Sequence, residues 1–360
     1  MRHLLVLCVL VVTLNITAQN SGIQFHNDTI FGNVLAKAKA ENKLIFIDCY
    51  AVWCGPCKFM DANIFPDKEV GDFHNQNFIN LKYDMEQPYG MKIRKQYGIK
   101  AYPSYLYLDG NGEVVHRYVG STATTADFLA ISRTATDSEK NFRAVSQRIT
   151  QGDRRASTIN DYLNMNYGAT NADSLINEHF MLVNEKEKMS KDTWELIKNH
   201  GASFDGAAFS QFRTNRDAYL TTYGAEATNE YLYSVLSKTY SKSPATYENL
   251  KALNPVLFEQ HQREINFRKA NSAFSKDKTS KEAWNEYILR AGEFISGNSP
   301  HPGYINSIAR NVVANYATFK DKASVAKAIG WVQTALKSSP DNKDLNSVYA
   351  ELLKASGRKK

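Results

Sequence analysis

The sequence predicts an α/β module followed by an all-helical region, and three observations predict it. A largely apolar run of strand length, residues 43–50, is followed closely by a helical period that starts near Lys58. Residues 105–108, 109–112 and 113–118 read as strand, turn and strand. Past residue 135 the strand patterns stop, and helical periods recur between Gly, Asn, Ser or Pro punctuation. The length of 360 residues agrees, because about 150 residues per domain gives two domains. With 43% hydrophobic and 22% charged residues, collagen-like, low-complexity and globally disordered chains are excluded.

In chain order, Arg2 and His3 precede the mainly apolar stretch 4–14, and a short polar segment ends in Thr17-Ala18-Gln19. Residues 1–18 are read as a secretory signal peptide, since the apolar stretch falls short of the ~20 residues of a spanning helix. Cys8 follows Leu7, where lipoprotein processing would want a small residue, so no lipid anchor is expected. The mature chain should begin near Gln19, in the periplasm or otherwise exported, without stable membrane insertion. Residues 19–130 net −1 charge and residues 131–360 net +7. That mild excess, spread over helical segments, is a solvated surface rather than a nucleic-acid site, and only the 357–360 tail is a basic cluster. The expected domains are therefore 19–135 and 136–360.

Export leaves Cys49, Cys54 and Cys57, too few and too close for a structural disulfide framework. Trp53-Cys54-Gly55-Pro56-Cys57 is a C-x-x-C pair, which serves either metal ligation or dithiol redox chemistry. Its setting favours the second. The apolar strand ends before it, Pro56 suits a first helical turn, and a helix follows, so Cys54 falls at a helix N-terminus. Unpaired backbone N–H groups there stabilise a thiolate, the attacking species. Cys57, three residues on, lies on the same face one turn deeper, where it can resolve a mixed disulfide.

With these residues in place, the segment resembles the thioredoxin family over roughly residues 22–135, in the order β-α-β-α-β-α-β-β-α. The resemblance implies a thioredoxin fold, with a central mixed sheet and flanking helices. It also implies that Asp48, six residues before Cys54, is the buried carboxylate that moves a proton to and from the resolving cysteine; otherwise it is a strand-end carboxylate. Residues 97–104 look like the family's segment with a cis-proline opposite the dithiol, which would be Pro103. Trp53, Gly55, Pro56, Tyr102, Pro103 and Gly120 would then line the surface where an extended substrate chain pairs its backbone. Tyr50 and Cys49 depart from the usual tryptophan and phenylalanine. Cys49 alternates away from Asp48 and reads as a buried core thiol rather than a third redox cysteine. Asn80 falls where some members place a basic partner for the carboxylate. The helix after the dithiol looks more like the modules of exported proteins, including the periplasmic C-terminal domain of the membrane disulfide-interchange reductase.

From residue 136 the chain reads as a helical arm. Its end, with helices over 305–319, 323–336 and 345–353, resembles a tetratricopeptide-type pair plus a capping helix, with Ala328, Trp331, Ala335, Leu336 and Pro340 as matching types. Trp194, Trp284 and Trp331 are expected to anchor helix packing. The mature histidines are scattered without ligand spacing, so neither a metal site nor any cofactor is expected.

The leading functional expectation is an exported protein thiol-disulfide oxidoreductase, with reduction or isomerisation favoured by the Gly-Pro between the cysteines through the resemblance. Its partners would be exported proteins with cysteines and a membrane-linked electron donor. The alternatives are a helical scaffold or chaperone whose thioredoxin module mainly docks peptides and, for two soft thiolates, a metallochaperone.

Overall fold

The computed structural model describes residues 22–26, 30–298 and 300–357. The leader expected at 1–18 and most of the basic tail lie outside them. Two compact units are present, one running through Gly201 and the other from Phe209, with residues 202–208 divided between them.

The first unit opens with α1 (Phe31–Glu41), β1 (Leu44–Tyr50), α2 (Gly55–Asn63), α3 (Lys68–Asn77) and β2 (Phe78–Asp84), then α4 (Pro88–Tyr97), β3 (Ser104–Leu108), β4 (Val114–Val119) and α5 (Thr125–Thr136). The strands form one mixed sheet in the order β2-β1-β3-β4. β1 runs parallel to β2 and antiparallel to β3, and β3 is antiparallel to β4, as expected for a thioredoxin fold. The strand expected ahead of α1 is reduced, among the described residues, to a single bridge from His26 to Leu81. A ladder would need the Gln24 N–H, which donates instead to Asn75 Oδ1 at 2.9 Å. The helix after the dithiol is broken at Pro66, and Asp67 starts α3 by accepting the N–H groups of Glu69 and Val70.

Alternation along the strands divides the core. Ile45, Ile47, Cys49, Ile79, Leu81, Leu106 and Leu108 pack on the side of α1 and α4. Phe46, Phe78, Tyr105 and Tyr107 pack on the side of α2, α3 and α5, against Met60, Phe65, Val70 and Phe128. Beyond Thr136 every element is helical. α6 (Phe142–Thr150), α7 (Ala156–Met165), α8 (Ala172–Leu182), α9 (Glu185–Lys188) and α10 (Lys191–His200) still belong to the first unit. α6 is tied to the β3–β4 hairpin where Arg143 meets Asp109 at 2.7 Å and the Phe142 N–H donates to His116 Nδ1 at 3.2 Å. Trp194 on α10 is buried.

After α11 (Ala207–Thr214), the second unit consists of α12 (Arg216–Lys242), broken at Gly224 with φ +82, and α13 (Pro244–Glu248). α14 (Pro255–Lys276), α15 (Lys281–Asn298), α16 (Pro302–Phe319), α17 (Lys322–Ser338) and α18 (Lys343–Ala355) complete it. The last three lie where the helical periods place them. Asp321 and Asn342 cap α17 and α18 through the N–H groups of Ser324 and Leu345. Trp284 is buried, its indole N–H donating to Asp321 Oδ2 at 3.0 Å and its ring stacked on Phe319. Trp331 is half-buried against the same core. Among the described residues, no helix is long and apolar enough to cross a membrane.

Candidate active site

The site stands where β1 ends. A short turn leads from Ala51 to Cys54, whose N–H donates to the Ala51 carbonyl at 3.0 Å, and Cys54 is the N-cap of α2. Its Sγ accepts the Cys57 N–H at 3.1 Å. One of the unsatisfied donors of the helix start is thus aimed at the sulfur that would carry negative charge. Cys54 and Cys57 form a disulfide, their Cα atoms 5.3 Å apart. Both are 3% exposed and pack with Ala51, Tyr50 and Tyr102. Pro56 occupies the first turn, where its missing N–H leaves no bond unmade.

Around the dithiol the surface is apolar and open. Trp53 is 64% exposed, and its indole N–H donates to Glu86 Oε2 at 2.8 Å while its ring meets Tyr102 edge-on at 6.0 Å. The Tyr102–Pro103 bond is cis. The Pro103 carbonyl accepts the Gly120 N–H at 2.9 Å, and Gly120 takes φ +122, a conformation glycine adopts without a Cβ penalty. Gly55 and Pro56 are exposed beside the sulfurs. Trp53, Tyr102 and the Cys54–Cys57 pair are thereby brought together. A cavity of about 530 Å³ lined by Lys39, Leu44, Asp109 and Arg143 lies at the opposite end of β1 and takes no part here.

Asp48 lies on β1 and is 2% exposed. Burial pushes its pKa up to about 6, against the pull of Lys82, whose Nζ stands 3.2 Å from Oδ2. Burial alone would lower Lys82, but Asp48 and Asp61 outweigh it and raise its pKa. The two partners differ because Asp48 is enclosed, whereas Lys82 also reaches Asp61 and keeps some solvent contact. The rings of Phe25, Tyr50 and Phe65 surround the ammonium at 4.7–5.7 Å.

This corrects the placement of Asn80. The residue opposite Asp48 in the β1–β2 register is Lys82, and Asn80 stands opposite Phe46. Asn80 serves a buried network instead, its Oδ1 3.2 Å from His74 Nδ1, with His74 Nε2 2.8 Å from Ser132 Oγ. Residues 80 and 82 share a strand face, so alternation alone leaves both eligible, and only the inter-strand register separates them. Lys82, Asp61 and Glu86 are the site's neighbours that the sequence reading missed. Cys49 is a free, buried thiol on the aliphatic face, its pKa raised well above the ordinary value by burial and by Asp48.

Residues 31–136 match the model of the thioredoxin-like domain family. Thioredoxin H4 of Arabidopsis thaliana is 35% identical over 96 residues, which cover 27% of this chain and 76% of that protein. The solution structure of a proposed disulphide-isomerase from Bacteroides thetaiotaomicron is 42% identical, covering 34% of this chain and 99% of that one, with a TM-score of 0.31. The oxidised C-terminal domain of DsbD from Neisseria meningitidis is 19% identical, covers 31% and 98%, and has a TM-score of 0.27.

Proposed function

Because the chain belongs to the thioredoxin family, we propose that it is an exported thiol-disulfide oxidoreductase working in the reducing or isomerising direction. The observation that carries this reading is Cys54 at the N-cap of α2, its sulfur accepting the Cys57 N–H and bonded to Cys57 one turn on. In the reduced protein the Cys54 thiolate attacks one sulfur of a substrate disulfide, and the other substrate sulfur leaves as a thiolate. Asp48 accepts the proton of the Cys57 thiol. The Cys57 thiolate then attacks Cys54 Sγ, which closes the enzyme disulfide and releases the first substrate sulfur. The substrate has gained two electrons, and a dithiol donor must return the enzyme to its reduced form. A membrane-linked donor is expected, since an oxidising compartment supplies no such electrons. Trp53, Gly55, Pro56, Tyr102, Pro103 and Gly120 bind the substrate main chain in this reading, and the partners are exported proteins bearing cysteines.

Insulin-disulfide reduction tests the chemistry. The wild type should catalyse it, Cys54→Ser should lose the activity by on the order of 10³-fold or more, and Cys57→Ser should accumulate mixed disulfides on non-reducing gels. Full activity in both serine variants would remove the reading. Direction is tested by the potential of the couple: a value near ~−270 mV supports reduction, and one near ~−120 mV reverses it. Export is tested by the N-terminus of the protein recovered from cells, expected near Gln19.

A further inference from the structure

We propose that Tyr105 is a positioning residue for the buried acid Asp48, its phenol hydroxyl supplying a hydrogen bond to the Asp48 carboxylate, directly or through one water, when that carboxylate ionises. This rests on the exchange reading above, in which Asp48 takes the Cys57 proton. Tyr105 stands directly opposite Asp48 in the β1–β3 register, so both side chains rise from the same face of the sheet. Tyr105 is fully buried, and its hydroxyl has no hydrogen-bond partner.

A phenol enclosed without an acceptor is costly, and phenylalanine would fill the same space without that cost. The ring is held by Phe46, Phe65 and Phe128 at 5.3–6.2 Å and lies parallel to Tyr118 at 6.2 Å, contacts that need no oxygen. The hydroxyl is thus surplus to the packing of the resting disulfide form. The strongest charge acting on it is Asp48, the carboxyl across the strand pair. The titratable groups around Asp48 and Tyr105 are Tyr50 from β1, Lys82 from β2, Asp61 from α2, and Tyr107 and Tyr118 from β3 and β4. α5 presents Phe128. α3 presents His74, which stays neutral and is already bonded to Asn80 and Ser132. Lys82 favours the ionised acid as a charge and holds Oδ2. A phenol donor would add a second, neutral stabiliser from the other neighbouring strand.

The test is a ¹³C NMR titration of the Asp48 carboxyl in the full-length oxidised protein, wild type against Tyr105→Phe. The wild-type midpoint should lie near pH 6. Loss of the donor should move it upward by roughly 0.5–1 pH unit. In single-turnover exchange, Tyr105→Phe should slow the resolving step about two- to fivefold at pH 6 and leave it unchanged at pH 8.5, where Asp48 is ionised either way. In an Asp48→Asn background the same substitution should have no further effect. Superimposable titrations of the folded proteins, or an equal slowing in the Asp48→Asn background, would overturn the proposal. Failure of the wild type to exchange disulfides at all would overturn the exchange reading instead, and the titration would still report on Tyr105.

Discussion

One face of the sheet is mainly aliphatic, with Tyr83 and Arg117 on its outer strands, and the other is aromatic and polar, although the same four strands supply both. Toward α1 and α4, Ile45, Ile47, Cys49, Leu81 and Leu106 make a layer in which burial pushes the thiol pKa up. Toward α2, α3 and α5, Phe46 and Tyr107 surround His74 and Asn80, and Asp48, Lys82 and Tyr105 rise from the same side. Adjacent residues of one strand, Asp48 and Cys49, therefore meet opposite demands. A buried thiol on the aliphatic side stays protonated at little cost, whereas a buried carboxyl on the polar side titrates within reach of neutrality. Asp48 and Lys82 stand on the face that keeps polar partners, and the other face is mainly packing.

Four measurements probe that division. Ile47→Ala should cost about 2–5 kcal/mol in denaturant unfolding, because it opens a cavity in the fully buried aliphatic layer. Its exchange rate per folded molecule should match the wild type, and a large rate loss would show that the aliphatic face takes part.

The next effect concerns pH. Burial lowers the pKa of His74 to about 3, below its unfolded value near 6.5. Its contribution to stability is complete above pH 6.5 and is lost as the pH falls toward 3, by roughly a few kcal/mol. In an Asp48→Asn background, the protection of the β1 amides against hydrogen exchange, corrected for the intrinsic rate at each pH, should fall accordingly between pH 7 and 4. Asp48 works in the reverse sense: its folded pKa, raised to about 6, makes folding less favourable as pH climbs from about 4 to 6.

Asp48→Asn should therefore stabilise the first unit at pH 7 by about 1–3 kcal/mol while slowing the resolving step by roughly 10²-fold. A variant both less stable and slower would place the carboxylate among the structural groups. Smallest of the four, Cys49→Ala should cost about 1 kcal/mol and leave exchange unchanged. Alkylation of the reduced protein should reach Cys49 only in denaturant.

How much of this was legible along the chain depended on distance in sequence. Cys54 and Cys57 lie within one helical turn, and Pro56 marks where that turn starts, so the N-cap and the sulfur pairing follow from local rules. The hairpin from Ser104 to Val119 and the last three helices were equally readable, because their signals are short-range periods and turns. Lys82 was not, since only the pairing of β1 with β2, thirty-four residues apart in the Asp48–Lys82 register, decides which polar side chain meets Asp48. The Trp53–Glu86 bond escaped for the same reason. The reduced first strand depended on an asparagine from α3 capturing one backbone donor.

Trp53 has a consequence for how the molecule can be watched. It is the exposed indole beside the disulfide, whereas Trp194 and Trp284 are buried and Trp331 is half-buried. Its fluorescence should sit at the red edge of the emission band and respond to the opening of the neighbouring sulfur bridge, while the enclosed indoles report on unfolding. The exposed indole should then read the redox state and the buried ones the integrity of the fold, at separable wavelengths.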